Sequence, residues 1–222
     1  VTGWLQSLTV EEVSVPASVR EIQNDAFQGW HALRRVAFAP NSKLECIGLR
    51  AFQASGLEEF VAPAGLREVA SDAFLRCMKL RRVELNEGLE RLCWECFRES
   101  GLEAVAVPAS VREIAAFAFM GCTKLASVSF AEDSQLRTIG FRAFQDTALV
   151  RFAAPAGLRE LGNGAFCNCK QLLEAELNEG LEILGSNTKE TEHDTSMGAF
   201  ENSGLEHVTL PTSLRQIEAR TF

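Results

Sequence analysis

Nine phenylalanines set the frame of this 222-residue chain. Phe27, Phe52, Phe74, Phe97, Phe119, Phe144, Phe166, Phe200 and Phe222, most of them preceded by Ala, follow one another at steps of 25, 22, 23, 22, 25, 22, 34 and 22 residues. A period of this kind constrains the fold more than any single motif, because each unit can bury its apolar side chains only against its neighbours. The first four steps span 92 residues, and at that offset whole words return: VPASVREI at 15–22 and 107–114, APAGLRE at 62–68 and 154–160, ELNEGLE at 84–90 and 176–182. A block of four unlike repeats has been copied. Helical arrays of the tetratricopeptide or HEAT kind need roughly 34 to 47 residues per unit and do not fit.

Inside each unit two further apolar frames hold. The first is L-x-x-V-x-V, as in Leu33, Val36, Phe38, or Leu80, Val83, Leu85, or Leu205, Val208, Leu210. Its alternation over a short β-branched stretch predicts a strand of about three to five residues. A turn follows at Pro16, Pro63, Pro108, Pro155 and Pro211, or at Asn86 and Asn178; Pro has no N–H with which to continue a ladder. The second frame, L/V-x-x-I/L/V, runs through Val19 and Ile22, Leu66 and Val69, or Leu158 and Leu161 to the Ala-Phe pair, where a single helical turn with an inward Phe is expected. Stacked about 4.8 Å apart, such coils would fuse these columns into one core with a spine of nine phenylalanines.

The words L-x-x-V-x-V-P, L-R-E-I and A-F-x-x-C-x-x-L resemble the BspA-like, or Treponema-type, leucine-rich repeat family along essentially the whole chain. The resemblance implies a leucine-rich-repeat solenoid, right-handed, of about nine coils of 22–25 residues. Short parallel strands would line the concave face, with a short strand plus helical turn on the convex side. It further implies a surface or extracellular protein that adheres to other proteins, without catalytic residues and without a cofactor. The chain departs from the family pattern at Cys96, which replaces Ala before Phe97, at Trp30 in the Cys position, and at Ala154 and Ala175, small where a large apolar residue is usual.

Composition narrows the partners. With 22 Lys and Arg against 30 Asp and Glu, and Arg interleaved with Glu, no cationic surface for a nucleic-acid backbone is expected. No window approaches the roughly 18 apolar residues of a membrane span, and Val1-Thr2-Gly3-Trp4 has no signal-peptide pattern. Gly3-Trp4 and Thr221-Phe222 both resemble the Ala-Phe position, so neither end reads as a polar cap; the chain is expected to be one array of a longer protein.

Chemistry-bearing motifs are sparse. Cys77, Cys122 and Cys169 stand three residues after Phe, where the intervening units carry Ser55, Ser100, Thr147 and Ser203. Equivalent atoms two coils apart lie roughly 9–10 Å from each other, beyond the reach of a disulfide, so these read as buried thiols. Cys93 and Cys96 spell C-x-x-C, but no second such pair or paired His completes a metal site. His31, His193 and His207 have no ligand spacing, and no nucleophile elbow, phosphate loop or dinucleotide fingerprint occurs.

Departures from the repeat are the better functional candidates. Eleven extra residues enter the seventh interval, giving a polar stretch at 185–196 that cannot join the core; it is read as a surface insertion, with Lys189, Glu192 and His193 as candidate contacts. Along the first strands, the outward columns begin with alternating charge at Glu12, Arg35, Glu59 and Arg82, which predicts a cross-strand ion-pair ladder. Farther on they become small at Ala104, Ala106, Ser127, Ser129 and Ala153, with Arg151, Glu174 and Glu176 beside them. These eight are the candidate ligand-binding residues of the concave face. A rigid protein-binding or adhesion module is the leading functional expectation; a spacer or end-to-end self-associating stalk is the alternative.

Overall fold

The computed structural model describes residues 9–186 and 197–222. Each coil contributes two short strands. The first strands are β1 (Glu12–Val15), β3 (Arg35–Phe38), β5 (Glu59–Val61), β7 (Arg82–Glu84), β9 (Ala104–Val107), β11 (Ser127–Phe130), β13 (Arg151–Ala153), β15 (Glu174–Glu176) and β17 (His207–Thr209). The second strands are β2 (Glu21–Ile22), β4 (Cys46–Ile47), β6 (Glu68–Val69), β8 (Arg91–Leu92), β10 (Glu113–Ile114), β12 (Thr138–Ile139), β14 (Glu160–Gly162), β16 (Ile183–Ser186) and β18 (Gln216–Ile217). All pairing is parallel and between successive coils, which makes the molecule a parallel β-solenoid.

The core is continuous. Leu, Val, Ile and Phe from both frames are buried along the stack, as the period-two alternation requires. At its centre the nine repeat phenylalanines form one offset column: Phe52 and Phe74 lie 5.2 Å apart at 10°, Phe119 and Phe144 5.2 Å apart at 5°, and Phe200 and Phe222 5.9 Å apart at 3°. Ring separations slightly above the inter-coil rise mean that each ring slides off its neighbour, the arrangement that the aromatic quadrupole prefers.

The helical turn expected around Ala-Phe does not form. The residues two before and two after Phe have left-handed backbone: Asp25 and Gly29, Asp72 and Arg76, and Glu95 and Glu99 have φ between 54° and 72°, as do Phe117 and Gly121. A left-handed residue every fourth position breaks a right-handed helix. Amide donors therefore alternate in direction. Phe52 N–H donates to Ala73 O of the next coil at 2.8 Å, whereas Gln53 N–H closes a turn onto Arg50 O at 3.1 Å. The arc is thus a run of tight turns bonded along the solenoid axis, which is why isolated units would not hold it.

The two strand ladders differ. The second strands form one sheet of nine, whereas the first strands fall into four separate groups, β1-β3, β5-β7, β9-β11 and β13-β15-β17. The connector from Phe to the first strand alternates in length. A step of eight residues leads from Phe27 to Arg35 and from Phe74 to Arg82; a step of seven leads from Phe52 to Glu59 and from Phe97 to Ala104. Strands reached by the longer step, β3, β7, β11 and β15, all bond to the preceding coil. Of those reached by the shorter step, only β17 does. Before β5, β9 and β17 the shorter connector carries Ser-Gly, whereas before β13 it carries Thr147-Ala148; the glycine packs tightly, since a Cβ at Gly56 would stand 2.1 Å from His31 O and one at Gly101 2.3 Å from Met78 O.

Candidate binding face

The eight residues singled out on the first strands share one outward surface. Ala104, Ala106, Ser127, Ser129, Arg151, Ala153 and Glu176 are exposed and Glu174 is half-buried, alternating with the inward Val105, Val128, Phe152 and Ala175. The register places Ser127 beside Ala104, Ser129 beside Ala106, Arg151 beside Glu174 and Ala153 beside Glu176. His207 and Thr209 extend the two columns by one coil. Between β11 and β13 the ladder is interrupted, so the eight fall into two in-register groups.

Charge on this face is held loosely. Arg151 Nη2 lies 2.8 Å from Glu174 Oε2 and 3.4 Å from Glu176 Oε1, with the Arg151 and Glu176 side chains largely in water and Glu174 partly so. Such pairs contribute only about 0.2–1 kcal/mol, so a partner can redirect them at little cost. In the first coils the expected ladder is a mesh of two columns. Arg35 reaches Glu59 at 3.6 Å, Arg34 lies 3.9 Å from both Glu11 and Glu58, and Arg82 turns to Glu84 of its own strand.

The first-strand face also carries a concavity away from the eight residues. A groove of about 490 Å³ opens at the interrupted junction between β3 and β5, lined among others by Arg35, Phe38, Asn41, Glu59, Val61 and Pro63. Its signal in the sequence is the coincidence of a 25-residue coil with a seven-residue connector. In the copied block that junction is β11/β13, where Ser127, Ser129, Arg151 and Ala153 stand.

The cysteines are structural. All seven are free; Cys46 and Cys93 are half-buried and the other five buried. Cys77 Sγ–H donates to Phe52 O at 3.0 Å, Cys122 to Phe97 O at 3.1 Å and Cys169 to Phe144 O at 3.1 Å. The hydroxyl of the intervening coil packs on each sulfur, Ser55 at 3.4 Å, Ser100 at 3.2 Å and Thr147 at 3.2 Å. The Cys/Ser alternation is thus a polar rung that satisfies a buried carbonyl on every second coil. Burial pushes the thiols of Cys77 and Cys122 up to about 11, which leaves them protonated and unreactive. Among the described residues, no three His, Cys, Asp or Glu side chains could hold a metal ion, and no helix is long and apolar enough to cross a membrane.

β16 runs to Ser186 and pairs with β14 across a register shift at Leu161/Gly162, so the strand that precedes the polar insertion is irregular at its end. Lys189, Glu192 and His193, the contacts expected within it, lie outside the described residues.

A stack of two-stranded coils with buried Leu, Val, Ile and Phe columns and variable outward positions defines a repeat protein of the solenoid class. The BspA type leucine-rich repeat region, in six copies, matches residues 4–114 and 91–222, and the chain belongs to that family. Among solved structures it is similar to the pneumococcal vaccine antigen PcpA, with 26% identity over 92% of this chain and 51% of that one and a TM-score of 0.63. This chain thus spans about half the length of that antigen. A leucine-rich repeat protein from Bacteroides ovatus shares the fold, at 21% identity over 94% of this chain and 74% of the other, with a TM-score of 0.64. No curated protein matches the chain.

Proposed function

We propose that this chain is a non-catalytic protein-binding or adhesion module of a surface or extracellular protein, which engages its ligand on the first-strand face between about residues 104 and 176. The observation that carries this reading is the run of small exposed residues on one face, Ala104, Ala106, Ser127 and Ser129 in register with one another and Ala153 on the next coil. Small side chains let a partner approach the backbone closely, and the β11/β13 junction interrupts the ladder within this surface. Arg151 and Glu174 are the polar anchors, with Glu176 beside them. The likeness to a vaccine antigen supports a surface location. Repeat solenoids present such faces as extended binding surfaces while their core columns stay constant.

The test is capture of extracellular-matrix proteins by the immobilised chain, compared with an Ala106→Arg/Ala153→Arg variant. The two arginines are expected to cut specific capture at least tenfold while leaving the thermal melt unchanged. Undiminished capture by that variant places the ligand elsewhere. Deletion of 187–196 in the same assay decides whether the insertion contributes to the ligand contact.

A spacer or stalk is the second reading, favoured by the uninterrupted nine-stranded ladder, which stiffens the chain along its axis. Concentration-dependent end-to-end association in light scattering would support it; a strict monomer would leave the binding module.

A further inference from the structure

The second-strand face carries one column whose charge differs between the two copies of the repeated block. The residue just before each second strand faces solvent, and in the first block the column reads Arg20, Glu45, Arg67, Glu90. At the 92-residue offset the copy reads Arg112, Arg137, Arg159, Glu182. Three positions are retained and one is reversed, Glu45 against Arg137. In the first block the reversed position carries an acid, and Arg20 Nη1 meets Glu45 Oε1 at 2.8 Å. In the copy, three arginines stand on adjacent coils, their backbones joined directly by Arg137 N–H to Arg112 O at 2.9 Å and Arg159 N–H to Arg137 O at 2.8 Å.

Like charges on neighbouring coils, about 4.8 Å apart at the backbone, repel unless something anionic lies across them. The surroundings supply little. Among the described residues neither Arg112 nor Arg137 has a carboxylate within ion-pair distance, and Arg137 has only a long contact of 3.5 Å to Gly157 O. Arg159 donates to Gly180 O at 2.8 Å and lies 3.9 Å from Glu182, which Arg215 shares at 3.5 Å. In the neighbouring column Glu113 is taken by Arg91 at 3.0 Å. All three arginines are exposed.

We infer that Arg112, Arg137 and Arg159 form a stripe that binds a linear anionic polysaccharide with one sulfate or carboxylate per sugar, laid along the solenoid axis. The guanidinium fork pairs with either anion in bidentate fashion, and the coil spacing sets the repeat that the ligand must match. An extended acidic peptide presents carboxylates on one side only every 6.6–7 Å or so, out of step with coils about 4.8 Å apart. The stripe lies on a different sheet from the protein-binding face proposed above and is independent of it.

Calorimetry with a heparin octasaccharide and an oligogalacturonate of equal length tests the inference, with a poly-Glu peptide and a single-stranded oligonucleotide of equal charge as comparisons. At least one oligosaccharide is expected to bind, ten times more tightly than either comparison and more weakly as salt rises. Arg137→Glu, which restores the ladder the first block already folds with, should reduce affinity tenfold or more. Arg137→Gln should do the same with less rearrangement. Glu45→Arg should create a second site and raise the stoichiometry from one to two. Absence of oligosaccharide binding, equal binding of the peptide or oligonucleotide, or an Arg137→Glu variant that binds as well as the parent would each overturn it.

Discussion

Single side chains matter here through what they do for the next coil. Cys122 is the clearest case: its thiol is a buried donor to a carbonyl one coil away, and its value near 11 reflects desolvation more than any charge. In the unfolded chain thiols ionise near 8.5, so between that value and about 11 the unfolded state holds fewer protons than the folded one. Stability is therefore complete below pH 8.5 and falls as pH rises toward 11, on the order of 3 kcal/mol for each of Cys77 and Cys122. Chemical denaturation at pH 7, 9 and 10.5 should show this slope, and the Cys77→Ser/Cys122→Ser pair should reduce it, the remainder coming from the other buried thiols, Cys167 among them. That these cysteines are buried and free was legible in their column position; that they are hydrogen-bond rungs was not, since it depends on which carbonyl a neighbouring coil presents.

At the level of the element, the repeated word ELNEGLE proves to be a clip between coils. Asn86 Nδ2 reaches back to Ala64 O at 3.1 Å and Leu66 O at 2.9 Å, while Glu87 accepts from Ala109 N–H at 3.1 Å and Ser110 N–H at 3.2 Å on the coil ahead. Asn178 repeats the backward half on Ala156 O and Leu158 O, and Glu179 the forward half on Thr212. In the sequence Asn appeared only as a turn residue standing where other coils have Pro. Asn86→Ala should cost about 2 kcal/mol, from two lost bonds to partly buried carbonyls, and urea unfolding measures it. Asn86→Pro should fare no better, although Pro is native at the equivalent turn of other coils. The strands were equally legible, yet the split of the first-strand ladder was not. A one-residue difference between connectors leaves the hydrophobic pattern intact and changes only how the backbone meets its neighbour.

For the whole molecule, stability is shared along the stack, so the position of a lesion decides its effect. Phe119 is fully buried and stacked on both sides, against Phe97 at 5.5 Å and Phe144 at 5.2 Å, whereas Phe222 stacks on one side and is 56% exposed. Phe119→Ala should cost about 3–5 kcal/mol and divide the unfolding transition into two, because the halves it separates then melt with reduced coupling. Phe222→Ala should lower the midpoint slightly and leave one transition. Fluorescence and circular dichroism followed on the same urea series distinguish the two outcomes, with coincident curves for Phe119→Ala counting against a shared spine.

What the amino-acid sequence determined by itself is the period: where coils begin, which columns are buried, and that the nine phenylalanines stack. These follow from the spacing of apolar residues, because burial in a stack is decided by position within the repeat. It also marked out the small-residue columns from Ala104 to Ala153, since outward positions alternate with inward ones. Tertiary structure alone decided that the Phe arc is a series of left-handed-punctuated turns rather than a helix, and that alternate first-strand junctions stand open. It also decided that Arg112, Arg137 and Arg159 are direct neighbours. Each of these rests on contact between backbones of different coils, and such contact depends on how residues some 22 to 25 positions apart meet in space.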